Sequence, residues 1–243
     1  MSLESQIADL VSATTSLVTT FNGKKTSIDA AVAAAIAAVP NMVKTFYVDQ
    51  IAGDDTSVGT QALPLKTIEK ALSNTPSGGL CTVVLISDYT MNGTITTDKQ
   101  MLHIKSLIST VKKKLNTPYY VQDDIAKLPG ITFATGGVVM LTDITLTLPS
   151  IVGVPVPQPF YNAFFKTGSV AGIPLMTVKF SRCEVLQAAD ATATLFVQLS
   201  SAVTFMVTET TFPAGFGGRY ISGVASGTSP TALSTVITNL GTL

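Results

Sequence analysis

The sequence predicts a mainly β protein in which an N-terminal α-helical stalk, packed as a coiled coil, precedes a β-solenoid body. Three observations support this fold class. The first twenty residues show a heptad pattern, strand-like patterns take over after residue 43, and one eight-residue pattern recurs three times in the C-terminal half. Each observation predicts a different part of the fold.

Apolar residues near the N-terminus follow the spacing of a coiled-coil seam. They recur at intervals of four and three residues, without Pro or Gly between them. Such a/d spacing predicts that helices pack along this seam, although an amphipathic helix docked on another protein would show the same pattern. The predicted seam for trimerisation and attachment consists of Leu3, Ile7, Leu10, Thr14, Leu17 and Phe21.

A second helix is expected after the first. Asn22 and Gly23 should end the first helix, because glycine favours the left-handed conformation of a helix C-cap. The next helix should begin near Thr26, and Pro40 and Asn41 should stop it.

The recurring pattern reads apolar, any, apolar, hydroxyl, charged, any, polar, apolar. It starts at Val139, Val178 and Phe205, with spacings of 39 and 27 residues. Equivalent strands of successive solenoid coils need the same inward positions, so the recurrence predicts stacked coils. The segments 83–85 and 102–104 are expected to be earlier coils. A β-sandwich with similar strands is the alternative.

The chain carries few charges. Charged residues make up 12% of the sequence and the formal net charge is zero, whereas soluble domains average about 25% charged residues. So few charges favour association, and together with the seam they predict a homotrimer. A zero net charge gives no electrostatic footprint for nucleic acid, so no nucleic-acid partner is expected.

We expect neither export nor membrane insertion. Glu4 and Asp9 stand where a secretory signal needs a basic and then an apolar region. The Ala-rich run 28–40 is shorter than the ~20 residues of a membrane span. Cys81 and Cys183 are expected to be buried thiols of a protein made in the cytosol.

Residues 47–72 carry a resemblance to a known family. They contain a Tyr-Val-Asp strand, a Gly-Asp turn, then Gly-Thr and Pro-x-Lys-Thr-Ile, at residues 47–49, 53–54, 59–60 and 64–68. This order resembles the opening of right-handed parallel β-helix proteins of the pectin-lyase-like type, in which a short helix caps the first coil. In such a helix, Thr67 would open the N-terminus, and Ile68, Ala71 and Leu72 would face the core.

Together with the helical start, this segment is most similar to bacteriophage tail-fibre and tailspike proteins. The resemblance implies three segments: 1–44 as a stalk that attaches to other phage tail or virion proteins, 45–75 as a cap, and 76–243 as the body. It also implies a trimeric subunit of the virion tail, made in the host bacterial cytoplasm, whose body contacts a cell-surface glycan or protein receptor. The alternatives are a glycan-degrading tailspike and a head-decoration or connector protein.

No catalytic residue, metal or cofactor is expected. The single histidine, His103, excludes a two-histidine zinc motif and lies in a strand, where a solvent or interface position is expected. Asp54 and Asp55 could offer oxygen ligands to a hard cation, but aspartates also stabilise turns through local hydrogen bonds.

Charged residues share one position of the recurring pattern. Asp143, Arg182 and Glu209 are therefore predicted to form an ion-pair ladder of alternating sign. The alternative is a glycosidase site, which needs two carboxylates roughly 5–10 Å apart, for instance Asp143 and Glu184.

A Pro-rich insertion, residues 152–165, concentrates aromatic side chains. Exposed aromatic faces beside polar groups suit glycan binding, although packing between subunits is the alternative. The predicted receptor-binding residues are Phe160, Tyr161, Asn162, Phe164 and Phe165, with Tyr119 and Tyr120 as a second group.

Overall fold

The structure is a computed structural model that describes residues 2–38, 42–98, 100–167, 175–198 and 201–243. It divides into two compact units, Met1–Asn41 and Met42–Leu243. The first unit is helical and the second is mainly β. This agrees with the predicted order of a helix followed by a β-rich body.

The N-terminal unit contains one helix, α1 (Leu3–Ala38). The predicted break at Asn22 and Gly23 is wrong, because the helix continues through both residues. A glycine inside a helix costs only about 1 kcal/mol relative to alanine, and the hydroxyl of Thr26 donates to the Asn22 carbonyl at 3.0 Å within the continuous helix. Pro40 and Asn41, which were expected to stop a second helix, lie outside the described residues.

Seven parallel strands form the first sheet of the β unit. Their spatial order is β1-β2-β5-β10-β13-β16-β17. The bounds are β1 (Val43–Val48), β2 (Leu80–Leu85), β5 (Met101–Ser106), β10 (Gly137–Thr142), β13 (Met176–Ser181), β16 (Val203–Thr208) and β17 (Val236–Thr238).

Two further parallel sheets have four strands each, in the orders β14-β11-β6-β3 and β15-β12-β9-β4. The second sheet consists of β3 (Tyr89–Thr90), β6 (Lys113–Asn116), β11 (Ile144–Leu148) and β14 (Glu184–Gln187). The third consists of β4 (Ile95–Thr97), β9 (Ile131–Phe133), β12 (Ala163–Thr167) and β15 (Thr194–Phe196). An antiparallel ribbon, β7 (Tyr120–Gln122) and β8 (Ile125–Lys127), is inserted between β6 and β9.

The chain visits the three sheets in a fixed order. From β2 to β16 it passes from the first sheet to the second, then to the third, and back to the first. Between β16 and β17 the chain meets the second and third sheets through two single bridges, Glu184–Thr211 and Phe196–Ile221. Each return adds a parallel strand beside the previous one in the first sheet. These parallel sheets differ from the antiparallel sheets of a β-sandwich, so the sandwich alternative is wrong.

The predicted alignment of the recurring pattern is confirmed. Val139 pairs with Val178, and Val178 pairs with Phe205, in adjacent parallel strands. The charged position of each repeat lies just beyond the strand in the left-handed conformation, with φ of 55°, 52° and 47° at Asp143, Arg182 and Glu209. The turn from the first sheet toward the second therefore has the same backbone conformation three times.

The sheets enclose one core of aliphatic and aromatic side chains. Aromatic rings connect its C-terminal part, where Phe165 lies 5.1 Å from Phe196 and Phe180 lies 5.2 Å from Phe205, between ring centroids. Cys81 and Cys183 are free and buried, as predicted.

The predicted short helix is present as α2 (Ile68–Ser73). The side chain of Thr67 accepts the N-terminal bond from Lys70 N, and the buried residues of the helix are Ile68, Ala71 and Leu72, which confirms these four predicted roles. Asp55 accepts bonds from Lys66 N and Thr67 N at 2.9 Å each, so its carboxylate fixes the start of the helix.

Candidate ligand-binding cavity

A cavity of about 370 Å³ lies where the β7–β8 ribbon and a 3₁₀ helix, Pro159–Asn162, meet the third sheet. Three half-buried aromatic residues line it: Tyr120 from the ribbon, and Phe160 and Tyr161 from the 3₁₀ helix. Small-ligand sites have volumes of about 300–1,000 Å³ and combine apolar walls with a few polar groups. The cavity has this size and this mixture.

Prolines and local hydrogen bonds position the 3₁₀ helix. Pro159 begins it, and Tyr161 N donates to the Gln158 carbonyl at 2.9 Å. The Tyr161 carbonyl accepts from Leu128 N at 2.8 Å, which connects the helix to the end of the ribbon. The rings of Phe160 and Tyr161 meet edge to face, with centroids 5.2 Å apart.

Lys166 is a buried cation in the wall of this cavity. It lies in β12, where every residue is buried, and it is 3% exposed. Its Nζ donates to the Leu128 carbonyl at 2.9 Å. Burial, and secondly the neighbouring charge of Lys127, lower the pKa of Lys166 to about 8.

Lys127 supplies a second positive charge. Its Nζ lies 5.2 Å from the centroid of the Tyr161 ring and donates to Gln122 Oε1 at 3.0 Å. None of the described residues that line the cavity carries a carboxylate. The one ion pair within 4 Å in the described part of the chain joins Arg182 to Asp143, so both cavity lysines lack an acidic partner at that distance.

The structure brings some predicted receptor-binding residues together and separates others. Tyr120, Phe160 and Tyr161 line the same cavity although 40 residues separate Tyr120 from Phe160. Tyr119 and Asn162 have a different role. The Tyr119 hydroxyl donates to Asn162 Oδ1, and Asn162 Nδ2 donates to the Thr192 carbonyl at 3.2 Å, so both residues hold the 3₁₀ helix in place. Burial raises the pKa of Tyr119.

The prediction that Phe164 and Phe165 contact a receptor is wrong. Both are fully buried, because β12 is a central strand of the third sheet and is covered on both faces. Phe165 packs on the rings of Phe133 and Phe196, with centroids at 6.3 and 5.1 Å. The aromatic run 160–165 therefore spans a surface helix and a core strand.

Sequence reasoning missed Lys127 and Lys166. The signal at Lys166 is its position directly after two adjacent phenylalanines. A strand with one exposed face alternates apolar and polar residues, so two adjacent phenylalanines indicate a strand buried on both faces. A lysine within such a strand is then expected to be buried. The signal at Lys127 is weaker, since a lysine in a short polar ribbon is ordinary.

The ladder prediction holds for one of its two pairs. Arg182 donates from Nε and Nη2 to the two carboxylate oxygens of Asp143 at 2.8 and 2.9 Å. Glu209 acts on Arg182 only as a more distant charge. The single histidine, His103, is half-buried on the first sheet, where Nε2 hydrogen-bonds to Thr142 Oγ1 at 2.9 Å and burial lowers its pKa.

Within the described ranges, no three His, Cys, Asp or Glu side chains come together as a metal site would require. Asp54 accepts bonds from the backbone and hydroxyl of Thr56 at 2.8 and 2.9 Å, as a turn residue does. None of the helices in the described residues is long and apolar enough to cross a bilayer.

No family model matches this chain, and neither a curated protein nor a solved structure does so.

Proposed function

We propose that this chain is a structural, non-enzymatic subunit of a bacteriophage tail fibre or spike. In this proposal α1 associates with copies of itself and attaches to other virion proteins, and the β unit contacts a cell-surface receptor. The observation that carries the proposal is the long helix α1, in which the apolar side chains of the seam are exposed in the single chain. Leu3, Leu10 and Phe21 are 73%, 67% and 74% exposed.

The seam extends beyond the residues on which it was predicted. The same alternating intervals continue through Lys24, Ile28, Ala31 and Ala35, and the helix is unbroken over this range. A three-heptad seam is short for an independent coiled coil, and a helix of 36 residues provides about five heptads. Self-association would bury the side chains that one chain leaves in water.

We further propose that the β unit is a right-handed parallel β-helix. The fixed order of the three parallel sheets supports this architecture, because each circuit of the chain then forms one coil. The confirmed register of the recurring pattern supports it too, since stacked coils need equivalent inward positions.

The outer surface of the first sheet supports association of the β units. One row of side chains crosses all seven strands in register, and each of its members is at least partly exposed. Five of the seven residues are apolar. The row consists of Val43, Leu80, Met101, Val138, Thr177, Thr204 and Ile237. A trimer is the assembly predicted from the low charge and the heptad seam, and the resemblance to tail fibres implies the same number of subunits.

Light scattering on the full chain tests the assembly. We expect a mass about three times the 25.3 kDa of one chain. Leu10→Asp with Leu17→Asp should lower this mass, because the seam would then bring like charges together. Ser12→Asp with Thr19→Asp, on the opposite helix face, is the matched control and should leave the mass unchanged. A monodisperse monomer of the wild-type chain at micromolar concentration would refute the trimer.

Antibody labelling of phage particles that carry this protein tests the location. Electron microscopy should show label on the tail. Label on the head instead would favour the head-decoration alternative and contradict the fibre proposal.

A further inference from the structure

We propose that the cavity between the β7–β8 ribbon, the 3₁₀ helix and the third sheet binds an anionic sugar unit, with the sugar ring against Phe160 and Tyr161 and the negative group between Lys127 and Lys166. This inference rests on the proposed receptor-binding function and names the chemical class of the ligand. An anionic sugar carries a ring with apolar C–H faces and a carboxylate or phosphate.

Lys166 gives the cavity a buried positive charge that can pair with an anionic ligand. Buried lysines are normally paired with an acid, yet within the described residues Lys166 Nζ makes a single hydrogen bond, to the Leu128 carbonyl. An ammonium group has three donors, so two remain for a ligand. Lys127 lies in the same wall and makes its bond to a neutral amide oxygen. The two lysines therefore give the cavity a positive charge that no lining carboxylate neutralises.

The aromatic residues of the lining offer ring surface to a sugar. Phe160 and Tyr161 meet edge to face, and both are only half-buried, so each keeps ring surface in contact with the cavity. Ring faces attract both C–H groups and cations. Thr94 and Thr132 add hydroxyl groups to the lining, and these can exchange hydrogen bonds with sugar hydroxyls. A free inorganic anion would use the lysines and leave the rings unused.

Two sources can supply this chemistry: a uronic acid, through its carboxylate, and a phosphate-bearing sugar. Both combine a pyranose ring with a negative charge. The distinction between them is experimental, because two lysines can pair with either group.

The test is a titration of the full chain with small ligands at pH 7, in which NMR or calorimetry measures binding. The probes are D-glucuronate, D-glucose 6-phosphate, D-glucose and acetate. We expect at least one of the two anionic sugars to bind at least tenfold more tightly than both glucose and acetate, and the tighter of the two identifies the source. Glucose binding as tightly as the anionic sugars overturns the role of the lysines. Acetate binding as tightly overturns the role of the rings.

Variants locate the binding. Lys127→Gln and Lys166→Met should each weaken binding of the anionic sugar by about tenfold or more, since each removes one of the two cations. Phe160→Ala should weaken it as well. Lys179→Met, an exposed lysine of the first sheet, is the matched control and should bind as the wild type does. Unchanged binding by Lys127→Gln, which alters a half-buried side chain, overturns the proposal even if Lys166→Met does not fold.

A pH series on the wild type adds a readout that needs no variant. The charged or titratable groups facing Lys166 are Lys127 and Tyr120 from the ribbon and Tyr161 from the 3₁₀ helix, while β9 contributes the neutral Thr132. Since the pKa of Lys166 is about 8, affinity for the anionic sugar should fall from pH 7 to pH 9. A constant affinity over this range overturns the role of Lys166.

Failure of this proposal is distinguishable from failure of the proposed function. If none of the four probes binds, the anionic-sugar site is refuted, whereas label on phage tails and a trimeric mass would still support the fibre. If the site binds anionic sugars and the label lies on heads, the fibre is refuted and the site stands.

Discussion

Replacing Phe180 with alanine tests whether the three parallel sheets enclose one continuous core. Phe180 is fully buried, and its strand neighbours in register are Leu141 and Val207. Its ring centroid lies 5.2 Å from that of Phe205 and 6.0 Å from that of Phe165. The side chain thus contacts both adjacent strands of the first sheet and the ring of a third-sheet strand.

The expected loss is large because the ring has neighbours on several sides. Truncating a buried phenylalanine to alanine costs about 3–5 kcal/mol, which includes the cavity that remains. For domains of 150–250 residues, each kcal/mol lowers the melting temperature by about 2–4 °C. Phe180→Ala should therefore lower it by about 6–20 °C.

Tyrosine fluorescence during thermal unfolding of the full chain is a suitable assay. All six tyrosines lie between residues 47 and 220, so the signal reports on the β unit and not on α1. Lys179→Ala is the matched control, because Lys179 precedes Phe180 in β13 and is exposed. Exposed substitutions usually change stability by less than about 0.5 kcal/mol. Equal and small effects of the two substitutions would refute the shared core.

Two further predictions concern stability of the β unit. The pKa of Lys166 is 10.5 in the unfolded chain and about 8 in the folded protein, so between these values the unfolded state binds more protons than the folded state. Stability rises with pH under this condition. Between pH 8 and 10 the unfolding free energy of the wild type should therefore rise by about 2 kcal/mol relative to that of Lys166→Met. Urea titrations at each pH measure this difference, and parallel pH profiles would contradict it. Gly130→Ala should destabilise the β unit by about 1–3 kcal/mol or more, because the new Cβ would lie 2.1 Å from the Phe164 carbonyl oxygen. Gly93→Ala is the matched control and should have little effect in the same urea titration, because a Cβ there meets nothing within 4 Å.

Local spacing was enough to predict several elements. The recurring pattern predicted the register of Val139, Val178 and Phe205, because alternation along a strand decides which side chains face the core. The short helix α2 was implied by the resemblance of residues 47–72 to parallel β-helix proteins, and Thr67 with the apolar residues after it fitted that position. These features depend on residues a few positions apart, and such relations are visible in a linear sequence.

The path of α1 shows a limit of local signals. Asn22 and Gly23 resemble a helix end, yet the helix continues through them. A C-cap signal is a weak preference of about 1 kcal/mol, and the Ala-rich segment after Ile28 favours continuation of the helix. The balance between one unfavourable residue and a long favourable segment is not evident from the cap motif alone.

By itself, the sequence determined the helix-then-β order, the register of the parallel strands that carry the recurring pattern, and the aromatic content of residues 160–165. Only the tertiary structure decided which aromatic side chains are accessible, since Phe164 and Phe165 belong to a covered strand while Phe160 lies beside a cavity. It also decided that Lys127 and Lys166 face one space. Their proximity depends on the fold of the ribbon against the third sheet, and no spacing pattern encodes a contact between elements that far apart in the chain.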